Sequence, residues 1–253
     1  MPGTVSGQKL SVKLILIFCF LLFITQANAD SFSGVNLSAT RIIYPLNGKG
    51  VSVSVTNNQD YPVLVKSEVM NESQEEAPFY VTPPLFRLDS RQRNAMSIIR
   101  TGGNYPSDRE SINWFCVRGI PPEADSVWAD NPEKSAEPRK GNVSVGFQVV
   151  VSSCIKMFVR PEGIKGNSAD MADKILWKIV GGNVIASNPT PFYINIAGAT
   201  FNGAEINIEK GYIPPFSEEK AKLSSGFVSG KGTLKWKIIG DYGERKEQTT
   251  LIN

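Results

Sequence analysis

Beyond residue 30 the chain is a succession of short apolar runs broken by turn residues, and no segment keeps a 3.6-residue hydrophobic period long enough for a substantial helix. That property restricts the fold to all-β. Val51, Val53 and Val55 alternate with Ser52, Ser54 and Thr56, which places the valines on one face of a strand. Asn57 to Asp60 breaks the run before a second one from Val63 to Val69, so the stretch reads as a hairpin. Further runs at Phe79 to Thr82, Ala95 to Arg100, Ile112 to Val117 and Val143 to Val159 are spaced as a sandwich requires. Between the last two, Pro121 to Asn142 is proline-rich, charged and poor in apolar residues; it cannot pack a core of its own and reads as a long loop. Pro161, Gly163 and Gly166 then mark a domain boundary. A second β-rich series follows at Ile175 to Val180, Val184 to Ser187, Phe192 to Ala197, Ala204 to Ile208 and Thr233 to Ile239.

The first 29 residues carry a different signature. Lys9 and Lys13 precede the unbroken apolar run Leu14 to Ile24, and Ala27-Asn28-Ala29 supplies small residues for cleavage. The run is short of the roughly 18 to 20 residues a spanning helix needs. Residues 1–29 are therefore expected to be a signal peptide, removed before Asp30, with no stable membrane insertion afterwards. Cleavage takes Cys19 away and leaves Cys116 and Cys154 as an even pair, for which a disulfide is expected in an oxidising compartment. Two buried free thiols are the alternative. A zinc site is a poorer one, because two sulfurs in a chain without histidine make a weak ligand set. The rest of the 253 residues suits two domains of about one hundred residues, one over 30–160 and one over 161–253.

Charge and residue inventory narrow the function classes. The formal net charge is +3, two of the lysines lie in the signal segment, and the near-neutral remainder has no nucleic-acid footprint. The absence of histidine removes the commonest general base and any Ser-His or Cys-His arrangement. Phosphate-binding glycine loops, nucleophile elbows and metal-ligand spacings are also missing from the sequence. The acid pairs Glu75-Glu76 and Glu218-Glu219 are what is left for carboxylate chemistry such as glycoside hydrolysis, and both read as solvated acids in loop-like settings. No catalytic residue, metal ligand or cofactor is assigned.

Several stretches resemble the periplasmic assembly chaperones of the bacterial chaperone-usher pathway. They are Ala39 to Tyr44, Pro83 to Leu88 and Asp108 to Ser111, and more strongly WFCVRGIPP from Trp114, IKMFVRP from Ile155, NPTPFY from Asn188 and GDYG from Gly240. These stretches fall in the family's order and at about its spacing. The resemblance implies two immunoglobulin-like β-sandwiches set in an L or boomerang, a non-enzymatic role and a periplasmic location. Implied partners are fimbrial or surface-fibre subunits and an outer-membrane usher, with an exposed binding strand through which the free protein could self-associate. The Pro121 to Asn142 loop, the cysteines flanking it and the extended start Asp30 to Ser38 resemble the subclass with a long loop between the sixth and seventh strands. An exported adhesin or fibre subunit would share the export signal, the β content and the disulfide. Such subunits are usually a single incomplete sandwich with an alternating N-terminal extension, and Ser31 to Ser38 is too short and mixed for that.

Residue roles follow from the same resemblance. Arg41 and Lys156 match a basic pair that anchors the C-terminal carboxylate of a bound subunit. Regular alternation puts Lys156 on the side opposite Val151, so a twist or bulge would be needed to aim it at the cleft. Glu110, Arg160 and Asp241 match an ion network that fixes the angle between the domains. Val143, Val145, Phe147, Val149 and Val151 match the strand lent to a subunit that lacks its own last strand, an instance of strand addition. The alternation alone favours a face packed into the domain's own core, and it is the resemblance that points to the lent strand.

Overall fold

In the computed structural model, which describes residues 34–123, 126–128, 150–223 and 230–252, the alternating valines turn to one interior. Val53 and Val55 of β3 (Val51–Asn57) are buried, as are Val63, Val65 and Val69 of β4 (Val63–Met70). These two strands are not the expected hairpin. A four-strand sheet runs β1 (Val35–Leu37), β3, β7 (Arg93–Arg100), β5 (Phe79–Thr82). The other sheet of this sandwich runs β2 (Arg41–Pro45), β9 (Val151–Arg160), β8 (Ser111–Ile120), β4, β6 (Leu85–Leu88), so the chain crosses between sheets after Asn57. A crossing leaves backbone carbonyls without ladder partners. The buried Asn57 side chain supplies them, its amide donating to the carbonyls of Tyr61 (2.8 Å), Leu88 (3.1 Å) and Asp89 (3.1 Å) while its oxygen accepts from the Gln59 N–H at 3.0 Å.

The second sandwich repeats this device. Asn188, equally buried, donates to the carbonyls of Phe192 (2.8 Å), Ile213 (3.1 Å) and Pro214 (2.9 Å) and accepts from Thr190. It ends β11 (Asn183–Asn188), within a sheet that continues through β10 (Leu176–Val180), β15 (Ser217–Leu223), β13 (Ala204–Ile208), β12 (Ile194–Phe201), β16 (Gly232–Ile239) and β17 (Arg245–Ile252). The short β14 (Tyr212–Ile213) pairs with β12. The core lies around Trp177, Phe192, Ile194, Phe201, Leu234 and Trp236. β15 escaped the sequence reading because its SEEKAKL has a charged exterior; Glu218 and Glu219 belong to this strand rather than to a loop, and Glu218 pairs with Lys178 at 2.6 Å.

Two strands of the first sandwich are buried on both faces where the second domain covers them. Phe115 and Val117 of β8, with Met157 and Val159 of β9, enter the first core. Ile112 and Phe158 turn the other way and meet Tyr193 and Tyr212 of the second domain. Phe158 and Tyr212 both stack near Tyr193, with ring centroids 5.5 Å away in each case. Farther along the same strands Cys116 and Cys154 are cross-strand partners and form the disulfide.

Two outcomes follow for stability. Asn57→Ala and Asn188→Ala each leave buried carbonyls unpartnered, and each is expected to lower the unfolding free energy by at least about 1–3 kcal/mol, read from denaturant midpoints. Reduction of the disulfide, whose cysteines are 38 residues apart, should remove about 4 kcal/mol, and unreduced protein unfolded in denaturant should titrate no free thiol at positions 116 and 154.

Candidate functional site

The cleft between the sandwiches is built where β2 runs parallel to β9, a pairing made when the chain leaves the first sheet after β1 and joins the second. The register sets Arg41 directly beside Lys156. Pairing of β9 is unbroken with β8 from Gly119–Val151 to Ser111–Val159 and with β2 from Arg41–Lys156 to Pro45–Arg160, so no bulge aims Lys156. None is needed: Ile155, Met157 and Val159 face the first core, and the opposite face, which carries Lys156 and Phe158, is the one the second domain covers. The Lys156 ammonium donates to Asn195 Oδ1 at 2.9 Å and lies 4.6 Å from the Tyr212 ring centroid and 5.8 Å from that of Trp114. Arg41 donates through Nη1 to the Ile239 carbonyl at 3.0 Å, and its buried Nε has no partner.

Two cations side by side are costly unless an anion joins them. Among the described residues neither makes an ion pair, and Asp241 and Glu244 act on Arg41 only from farther away. Burial, then the Arg41 charge, brings the Lys156 pKa down to about 8. Burial also lowers the Arg41 value, with Asp241 and Glu244 opposing it. Half-buried donors with unfilled capacity and a surplus of positive charge suit a carboxylate, which can take charge-assisted bonds from both.

Glu110, Arg160 and Asp241 meet beside this pair. Arg160, which ends β9, donates to Glu110 Oε1 from Nε at 2.7 Å and to Asp241 Oδ2 from Nη1 at 2.6 Å. The other Glu110 oxygen accepts the Tyr193 N–H at 2.8 Å, and Asp241 also accepts from Ser168 at 2.8 Å. Burial pushes Glu110 up to about 7 against the pull of Arg160 and the Tyr193 N–H. Burial would raise Asp241 as well, but Arg160 and Ser168 outweigh it and hold the carboxylate below its ordinary range.

Val143, Val145, Phe147 and Val149 lie outside the described residues. Val151 opens β9, half-buried, on the side that carries Ile155, Met157 and Val159 toward the first core. Asn195, Tyr212 and Trp114 touch the basic pair and were not singled out in the sequence. A lone asparagine inside the apolar run Phe192 to Ala197 was the available signal for the first.

Comparison with known proteins places this geometry among relatives. Residues 34–165 match the family model described as pili and flagellar-assembly chaperone, PapD N-terminal domain, and residues 170–250 match that of the pili assembly chaperone PapD C-terminal domain. The chain is 45% identical to the chaperone protein caf1M of Yersinia pestis over 247 residues, 93% of this chain and 94% of that protein. The crystal structure of the Escherichia coli chaperone DraB superposes with a TM-score of 0.73 at 43% identity, over 87% of this chain and 96% of that one. A Salmonella enterica structure, the SafA pilin in complex with the SafB chaperone, matches with a TM-score of 0.72 at 35% identity, over 86% and 94% of the two chains.

Arg160→Ala strands two carboxylates in a buried junction and is expected to cost about 3–5 kcal/mol in denaturant unfolding. Lys156 is expected to lose its proton near pH 8, measured by the pH dependence of its acylation or by its side-chain NMR signal. Because this value lies below that of the unfolded chain, burial of the ammonium opposes folding below about pH 8, and the penalty is relieved as pH rises toward 10.5.

Proposed function

The chain belongs to the pili-assembly chaperone family, and from that premise we propose that it grips a fimbrial or surface-fibre subunit in the periplasm by the subunit's C-terminal carboxylate, bound between Arg41 and Lys156. The observation that carries this reading is the pair of adjacent, half-buried cations lacking a carboxylate partner among the described residues. An anion there offsets the burial and the Arg41 repulsion that together depress Lys156, and it gives the buried Arg41 Nε an acceptor. The related SafB chaperone is described in complex with a pilin, which supports a subunit as the source of the carboxylate.

With its end anchored, the subunit's backbone runs along β9 and its preceding loop. Val143, Val145, Phe147, Val149 and Val151 donate alternate side chains to the subunit's open groove, a reading supported by their having the same alternation in sequence as Ile155, Met157 and Val159. The disulfide ties β8 to β9 at the base of that extension. Glu110, Arg160 and Asp241 hold the two domains, 30–160 and 161–253, at the angle the cleft requires. Residues 1–29 direct export, the protein performs no catalysis, and an outer-membrane usher receives the subunit.

Co-expression with a candidate fibre subunit, followed by pull-down from the periplasm, tests the reading. Arg41→Ala or Lys156→Ala should abolish capture while the chaperone stays folded, since removal of one partner from a desolvated charge contact costs about 2–5 kcal/mol. Normal subunit yields from both variants would sink the anchor. Phe147→Ser should collapse subunit recovery with little change in the melting of the free protein; a large melting loss with capture intact would assign that face to the chaperone's own core.

A further inference from the structure

Both cations of the anchor belong to the first domain, yet what holds them belongs to the second. Asn195 is a cross-strand neighbour of Tyr212 on one side and of Ile239 on the other, so the three residues form a row across β14, β12 and β16. Each member meets the anchor: Asn195 through its side-chain oxygen and Tyr212 through its ring at Lys156, Ile239 through its carbonyl at Arg41. Tyr212 is itself tied back to the first domain, donating to Glu72 Oε1 at 2.8 Å. Asn195 is buried, 3% exposed, in a strand flanked by the buried Ile194 and the second core. An amide at such a place carries a desolvation cost that its bond to Lys156 offsets.

We propose that Asn195 is a positioning residue for the Lys156 ammonium, so that the second domain completes a carboxylate site whose charges the first domain supplies. This inference rests on the anchor reading above. A lysine ends in a compact charge on a flexible stem, and without a fixed acceptor its three donors sample many directions. Asn195 Oδ1 takes one of the three donors and Tyr212 presents a ring face nearby, which leaves the remaining N–H groups for an incoming anion on the side of Arg41. An amide serves where a carboxylate would not. Asp at position 195 would neutralise Lys156 internally and compete with the ligand. The charged or titratable groups facing Lys156 are Arg41 on β2 and Tyr212 on β14, with Glu72 behind the tyrosine, and burial with Glu72 beside it raises the Tyr212 pKa, so the ring stays neutral while Lys156 titrates.

The test uses the whole mature protein and two synthetic peptides of alternating valine and threonine, one with a free C-terminal carboxylate and its amidated twin. Asn195→Ala should weaken the carboxylate peptide at least tenfold, leave the amide peptide nearly unchanged, and move the Lys156 titration midpoint down from about 8. Asn195→Asp should move that midpoint above the wild-type value and weaken the carboxylate peptide as much. The Asp variant keeps the shape of the side chain, so it decides the matter should the alanine variant fail to fold. If Asn195→Ala, or Asn195→Asp in its place, leaves both the midpoint and the ratio of the two affinities as in the wild type, the positioning role is overturned. A wild-type protein that binds the two peptides equally overturns the anchor itself, while the Lys156 midpoints of the variants still decide the role of Asn195.

Discussion

Arg160 holds one carboxylate from each sandwich at the same time, Glu110 from the first and Asp241 from the second, and the cleft lies beside this junction. A guanidinium can do this because its fork offers donors in fixed directions, so each acid receives its own short bond. The junction is nearly water-free, with the Glu110 side chain 1% exposed and that of Asp241 7%. Buried ions of this kind are weak evidence for net stability, since desolvation offsets much of the attraction. A displaced junction would strand those buried charges, a cost that the apolar contacts of Phe158, Tyr193 and Tyr212 do not carry.

The same strand carries the consequence. Four residues before Arg160, Lys156 lies on the same face of β9 and is covered by the same domain, so the docking that satisfies Arg160 is what desolvates Lys156. The contrast between the two cations is one of partners. Arg160 has two carboxylates and a raised pKa, whereas Lys156 has an amide oxygen, two aromatic rings and another cation, and a lowered one. A fold that leaves a half-buried lysine and arginine adjacent, with no carboxylate partner among the described residues, carries an electrostatic penalty that a ligand of opposite sign relieves without loss of the lysine's proton. The parallel pairing of β2 with β9, made by the switch of sheets after β1, is what brings them side by side from positions far apart in sequence.

Much of the strand content was legible because a half-buried strand alternates, and the valines of β3 and β4 do so plainly. The failures have local causes. β15 presents Glu218, Lys220 and Lys222 outward, and of Ser217 to Lys222 Ala221 alone is buried, so its hydrophobic signal is too thin to read. The supposed hairpin at Asn57 failed because turn-forming residues look alike whether a chain reverses within a sheet or crosses to another. The asparagine that serves the crossing is recognisable only through carbonyls some thirty residues away. The bulge expected at Lys156 is not needed because the cleft lies on the face opposite Val151, where the second domain covers β9.

By itself the sequence determined the all-β class and the family, because periodicity, composition and motif order are properties of the chain as written. The identity of the basic pair and of the ion network was legible only through resemblance to that family. Tertiary structure decided which strands share a sheet, which face of β9 is the cleft, and that Asn195, Tyr212 and the Ile239 carbonyl receive the two cations. The physical reason is that a side chain's chemistry is fixed by its own atoms, whereas its pKa and its remaining capacity to bind depend on neighbours that only the folded chain supplies.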